Sequence, residues 1–113
     1  MTRYLLSIYQ PEGGPPPPNV LDPVMRDLKD LNQEMREAGV WVFDAGLGDA
    51  RSARWVRVRG DRVLTTDGPY AESKELVGGF VVIDVADRDR ALEWATRLAS
   101  ASTLPVEVRP FNA

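Results

Sequence analysis

Three apolar runs limit the folds open to this chain: Tyr4-Leu5-Leu6, Val40-Trp41-Val42-Phe43 and Phe80-Val81-Val82-Ile83. A strand with one solvated face alternates apolar and polar residues. These runs do not alternate, so each reads as a strand covered on both sides. Only two helical patterns accompany them in 113 residues, and two helices can cover one face of a sheet. The other face needs cover from outside the chain. A second copy of the same sheet is the simplest cover, which predicts a homodimer with the two sheets face to face.

The remaining elements follow from periodicity and breakers. Residues 3–9 read as a strand, with Tyr4, Leu6 and Ile8 on one face and Leu5, Ser7 and Tyr9 on the other. A proline-rich stretch over 10–19 reads as an extended loop inside the single domain 1–113, either a flap over a pocket or a lengthened surface loop. The spacing of Leu21, Val24, Met25, Leu28, Leu31 and Met35 predicts a helix over 23–38. Asp22 is its expected cap, Pro23 its first residue and Gly39 its stop. A strand over 40–45 precedes a bend at Gly46-Leu47-Gly48-Asp49. Residues 54–59 and 62–66 then read as a hairpin turning at Gly60-Asp61. The arginines at 51, 54, 57, 59 and 62 make this the one locally basic segment, either a solvated face or an anion contact. A strand over 80–85 leads to a helix over 88–100, capped by Asp87, with Ala91, Leu92, Ala95, Leu98 and Ala99 inward. The last strand is 106–109. The order predicts an α+β, ferredoxin-like βαββαβ fold with an inserted β-hairpin, its antiparallel sheet carrying both helices on one face.

Composition narrows the function. Cysteine and histidine are absent, which removes thiolate chemistry, the commonest metal ligand and the side chain that ordinarily titrates near neutrality. No metal or cofactor is expected. The net charge of −3 and the mixing of the arginines with acids argue against a nucleic-acid partner. No apolar run approaches the roughly 20 residues of a membrane span and no leader pattern opens the chain, so a cytoplasmic protein is expected.

The densest polar stretch is Asp67-Gly68-Pro69-Tyr70-Ala71-Glu72-Ser73-Lys74-Glu75, running into Leu76-Val77-Gly78-Gly79-Phe80. Gly68 can take a positive φ, Pro69 fixes its own, and the Asp67 carboxylate can accept backbone N–H groups across the turn. Gly78-Gly79 permits a bulge or a close backbone approach before the strand. The stretch resembles the signature of the DGPF branch of the YCII-related domain family, roughly DGPFAETKE. Here Tyr70 stands for the usual Phe and Ser73 for the usual Thr. The resemblance extends to Arg3–Tyr9, to Gly78-Gly79-Phe80, to Ala91-Leu92-Glu93-Trp94-Ala95 and to Val106–Pro110, nearly end to end. It implies the dimeric α/β-barrel, the arrangement that the uncovered sheet face also predicts.

The resemblance also bears on chemistry. Proteins sharing that fold include lactone isomerases and small oxygenases that hold substrate between sheet and helices. A His–Asp pair has been proposed as the active site of the broader family. Without histidine only the Asp67 half survives, and Asp67 is the candidate catalytic acid or base. The alternative is that it caps its own turn. Tyr70 adds a hydroxyl that either meets a ligand or reaches solvent. Glu72, Lys74 and Glu75 are the other signature charges, for ligand contact or mutual pairing. Arg109 can hold an anion bidentately or neutralise Asp44, Asp84 or a signature Glu. If Tyr4, Leu6, Ile8, Trp41, Phe43, Val81, Ile83, Val106 and Val108 face the helices, the other face holds an apolar field with scattered polar groups. Among them are Tyr9, Asp44, Asp84 and Arg109, the mixture expected of a small-molecule cleft or of an imperfectly dry dimer interface.

Two functional readings follow. In the first, a ligand-binding protein or cofactor-independent enzyme uses the cleft near the turn, with Asp67 as acid or base and Tyr9, Asp44, Tyr70, Glu72, Lys74 and Arg109 contacting ligand. The second is a non-catalytic regulatory or interaction module. DGPF proteins are often encoded beside, or fused to, extracytoplasmic-function sigma factors, which implies a transcription-linked protein partner contacting the proline loop or the arginine hairpin.

Overall fold

The chain enters the sheet at once. In the computed structural model, which describes residues 1–11, 13–68 and 75–112, β1 spans Thr2–Pro11. It is followed by α1 (Pro18–Glu37), β2 (Trp41–Gly46), a 3-10 turn (Ala50–Ser52), β3 (Arg54–Arg59) and β4 (Arg62–Asp67). Then come β5 (Glu75–Val85), α2 (Arg88–Ser102) and β6 (Val106–Pro110). The main sheet has the order β2-β5-β1-β6 with every pairing antiparallel, while β3 and β4 form a ribbon of their own. With the ribbon set aside this is the expected α+β, ferredoxin-like arrangement.

One sheet face supplies Tyr4, Leu6, Val81, Ile83 and Val85 to the core. Leu31 and Met35 of α1 and Ala91, Ala95 and Leu98 of α2 close over them. Leu6 and Ile83 are wholly buried, each stabilising the fold by about 1.5–3 kcal/mol through the apolar surface removed from water. Met25 and Leu92, expected inward, are instead exposed. Met25 lies on the N-terminal part of α1, and Leu92 follows the buried Ala91 by one position, about 100° around the helix.

Helix ends show where local chemistry decided the boundaries. Asp87 caps α2, accepting the Arg90 N–H at 3.0 Å. Gly39, at φ +74°, stops α1 as expected. Its N–H bonds the Arg36 carbonyl and the Val40 N–H reaches back to Met35, satisfying two otherwise orphaned acceptors. The start of α1 is a correction. The helix begins at Pro18, not residue 23, with Pro17 rather than Asp22 in the capping position and no side-chain cap bond. Pro18 fits because the first helical N–H has no partner in any helix, and proline's φ is already helical. The Val20 and Leu21 N–H groups both bond Pro17 O. Pro23 therefore sits inside the helix, and the proline loop is shorter than expected.

Two irregularities set the sheet's faces. Pairing of β1 with β5 shifts between Ile8 and Tyr9, at Gly78, where an added Cβ would lie 2.3 Å from the Gln10 side chain. At Gly79 an added Cβ would lie 3.1 Å from the Ala45 carbonyl oxygen. The Gly-Gly pair thus provides both the bulge and the close approach. The second shift lies between Trp41 and Phe43 of β2.

The Cα radius of gyration is 16.1 Å, against about 13 Å for a compact chain of this length. The thinnest extent is 18 Å, one sheet and one helix layer. All twelve residues of the β3–β4 ribbon are exposed, and the ribbon projects from the body.

Candidate functional site

Cross-strand partners in an antiparallel pair share a face, so register fixes what the helix-free face presents. Arg3 lies opposite Asp84, Leu5 opposite Val82 and Arg109, Ser7 opposite Phe80 and Glu107, and Tyr9 opposite Val77. The bulge in β2 brings Phe43 to this face opposite Val82, and its ring meets Phe80 at 5.9 Å between centroids. Leu5, Tyr9, Phe80 and Val82 are half-buried, and Phe43 is 52% exposed. The expected apolar field with polar groups is therefore present, and no layer of the described residues lies above it.

The same bulge corrects two assignments. Phe43 was expected against the helices and Asp44 in the cleft, and they exchange faces. Asp44 pairs with Val81 on the helix side. It accepts the Asn32 amide of α1 at 2.5 Å and the Trp41 indole N–H at 3.2 Å. Asn32 in turn accepts Arg36 Nε at 3.0 Å, and the Arg36 guanidinium stacks over Trp41 at 3.8 Å. Asp44 is a structural acceptor fixing α1 to β2, away from Tyr9 and Arg109.

The other expected residues fall as follows. Arg109 pairs with Glu107 at 3.0 Å and is largely exposed. Asp67 ends β4 opposite Arg54; its carboxylate is 89% exposed and pairs with Arg54 at 3.1 Å. Gly68 has φ +80° as expected, and its N–H bonds the Ala53 carbonyl at 2.8 Å. Tyr70, Glu72 and Lys74 lie outside the described residues.

Two features escaped sequence reasoning. The first is a hollow of about 300 Å³ lined by Leu47, Ala50, Ala53, Leu76 and Val77, with Asp49 and Ser52 among its walls. It lies between the segment after β2 and the start of β5, next to the Gly68 turn. Asp49 shapes its rim by accepting the Arg51 N–H at 2.8 Å, which starts the 3-10 turn. The Arg51 guanidinium, and then the Arg51 backbone N–H, hold the Asp49 carboxyl below the usual aspartate range. An Asp two residues ahead of an Arg after a Gly-Leu-Gly bend was the available signal. The second feature is Asp84, whose Oδ1 is buried without a hydrogen-bond partner among the described residues. A further hollow, between α1 and α2, is lined by Asp27, Asp30 and Glu34 and spanned by an Arg97–Glu34 ion pair. It lies on the opposite layer.

Among the described residues no group of three or more acidic side chains could hold a metal ion, and no helix is long and apolar enough to cross a membrane. The model of the YCII-related domain matches residues 2–112. An uncharacterized protein of Rhizobium meliloti (strain 1021) is 40% identical over 90 residues, covering 78% of this chain and 73% of its own. Matched from the first strand to the last, the chain belongs to the YCII-related domain family.

Proposed function

We propose that this chain is a homodimeric small-molecule-binding protein whose ligand lies between the open sheet face and a second copy, at the end nearest the Gly68 turn. One observation carries the reading: the open face keeps Leu5, Tyr9, Phe80 and Val82 only half-buried and Phe43 half in water, with no layer of the described residues over them. A partly exposed cluster of apolar and aromatic side chains of this kind marks a binding surface rather than a finished exterior. The hollow beside Val77 gives that surface a concave end, and small ligands prefer apolar concavities with few polar groups. Asp49 and Ser52 are the polar groups of the hollow. Tyr9 shares the Val77 end of the face, and the Asp67–Arg54 pair stands beside it through the Gly68–Ala53 bond. Binding is the function this geometry supports best. Asp67, open to water and paired with a guanidinium, makes the weaker case for catalysis.

The test combines light scattering with binding of 1-anilinonaphthalene-8-sulfonate as an apolar probe. A dimer at micromolar concentration is expected, with saturable dye binding that Val77→Arg weakens at least tenfold. Val77 is 37% exposed, so the arginine can reach water and the fold survives. A monomer, or dye binding indifferent to Val77→Arg, refutes the reading.

A further inference from the structure

The β3–β4 ribbon is amphipathic across its two faces. Register places Val56, Val58, Val63 and Thr65 on one face with the Arg54–Asp67 pair, and Trp55, Arg57, Arg59, Arg62, Leu64 and Thr66 on the other. The three valines are 62%, 67% and 66% exposed. A two-stranded ribbon alone is marginal in water, and this one leaves its aliphatic side wet. Its tip sets Arg59 directly opposite Arg62, and among the described residues neither has a carboxylate partner. Like charges directly opposite each other destabilise a pair of strands. The valine face therefore calls for an apolar surface, and the arginine tip for acidic groups nearby.

A second copy of this chain supplies one. Residues 54–67 hold four arginines against two aspartates, a charge of +2, so a chain of −3 leaves −5 on the remainder. The body of one copy thus attracts the ribbon of another, and such complementarity guides docking. Area points the same way. Four strands about 4.8 Å apart and roughly six residues long at about 3.4 Å each give a sheet footprint near 400 Å² per copy. Two such faces bury about 800 Å², below the roughly 1,200–2,000 Å² of a stable interface. A ribbon face of two strands covers about 200 Å². The two exchanged ribbons add their own faces, about 400 Å², to the sheet area and bring the total to about 1,200 Å², the lower edge of that range.

We infer that the β3–β4 ribbon is an exchanged arm: its Val56–Val58–Val63 face docks on the open sheet face of a second copy, beside Phe43 and Phe80, and walls the partner's cleft. This rests on the dimeric reading above and adds that each binding site is completed by the other copy's ribbon. Arg54 and Asp67 lie on that docking face, so the pair beside one hollow also borders the partner's sheet.

The chain has no cysteine, so Val58→Cys carrying a benzophenone maleimide is a unique photocrosslinker. Light scattering on the same sample reports the oligomer. A dimer whose adducts map to residues 41–46 or 76–84 of the other copy is the expected result. A dimer with adducts elsewhere, or with none between copies, overturns the arm and leaves the dimer standing. A monomer overturns both. Val58→Asp with Val63→Asp changes exposed positions and spares the monomer fold; it is expected to raise the dimer dissociation constant at least tenfold. An unchanged constant overturns the arm.

Discussion

Replacing Asp44 separates a structural role from a ligand-binding one. Its carboxylate accepts the Asn32 amide at 2.5 Å and the Trp41 indole at 3.2 Å. Asp44→Ala leaves both donors without an acceptor. A hydrogen bond to a charged group contributes about 1.5–3 kcal/mol. Because the site is only part-buried, water recovers some of each bond, and solvent-screened charged contacts are worth far less than buried ones. A combined loss of about 2 kcal/mol is expected, a sizeable share of the roughly 5–15 kcal/mol that holds such a domain together. Asp44→Asn keeps one acceptor oxygen, and half that loss follows. Urea unfolding monitored by tryptophan fluorescence reads both. With a slope of about 1–2 kcal/mol per molar, Asp44→Ala lowers the midpoint by about 1–2 M. Dye binding and dimerisation by Asp44→Asn stay at wild-type values, because Asp44 lies under α1. A midpoint unchanged in Asp44→Ala refutes the structural role, and loss of dye binding in a stable Asp44→Asn refutes the assignment of faces.

Two further outcomes test local arguments. Thr103 ends α2 at φ +64°, a left-handed conformation that costs an L-residue about 1–2 kcal/mol. Thr103→Gly removes that cost against the roughly 0.5–1 kcal/mol of extra backbone freedom that glycine loses on folding. A calorimetric Tm higher by about 2–4 °C is expected, and a lower one contradicts the strain. Asp49 titrates below the usual aspartate range because of Arg51. The stability linked to it is present above the unfolded aspartate pKa and is lost as pH falls through the lowered folded value. Carboxyl NMR titration should move Asp49 upward in Arg51→Ala; an unmoved carboxyl removes Arg51 as the cause.

Much of this fold was legible because its signals were local. Asp87, the Ala91–Ala95–Leu98 spacing and the Gly39 stop needed no knowledge of distant residues, and each took its expected place. The start of α1 failed because a proline run reads as a breaker, whereas Pro18 meets the one helical position that suits it. The cleft assignment of Asp44 failed for a different reason. Alternation along β2 carries no sign of the bulge between Trp41 and Phe43, which depends on pairing with β5, some forty residues away. The hollow between Leu47 and Val77 was hidden in the same way, since its walls meet only through tertiary structure.

The strand order has a consequence for how the protein is made. β1 lies between β5 and β6, so Tyr4 finds its neighbours at Ile83 and Pro110. At roughly 5–20 residues per second, β1 waits several seconds after synthesis before either neighbour exists. During that interval Leu6, wholly buried in the finished core, has no sheet to enter. A nascent chain of this topology exposes the apolar residues of β1 first and shelters them only when β5 has been made, which makes the growing polypeptide a natural client for chaperones that bind short apolar segments.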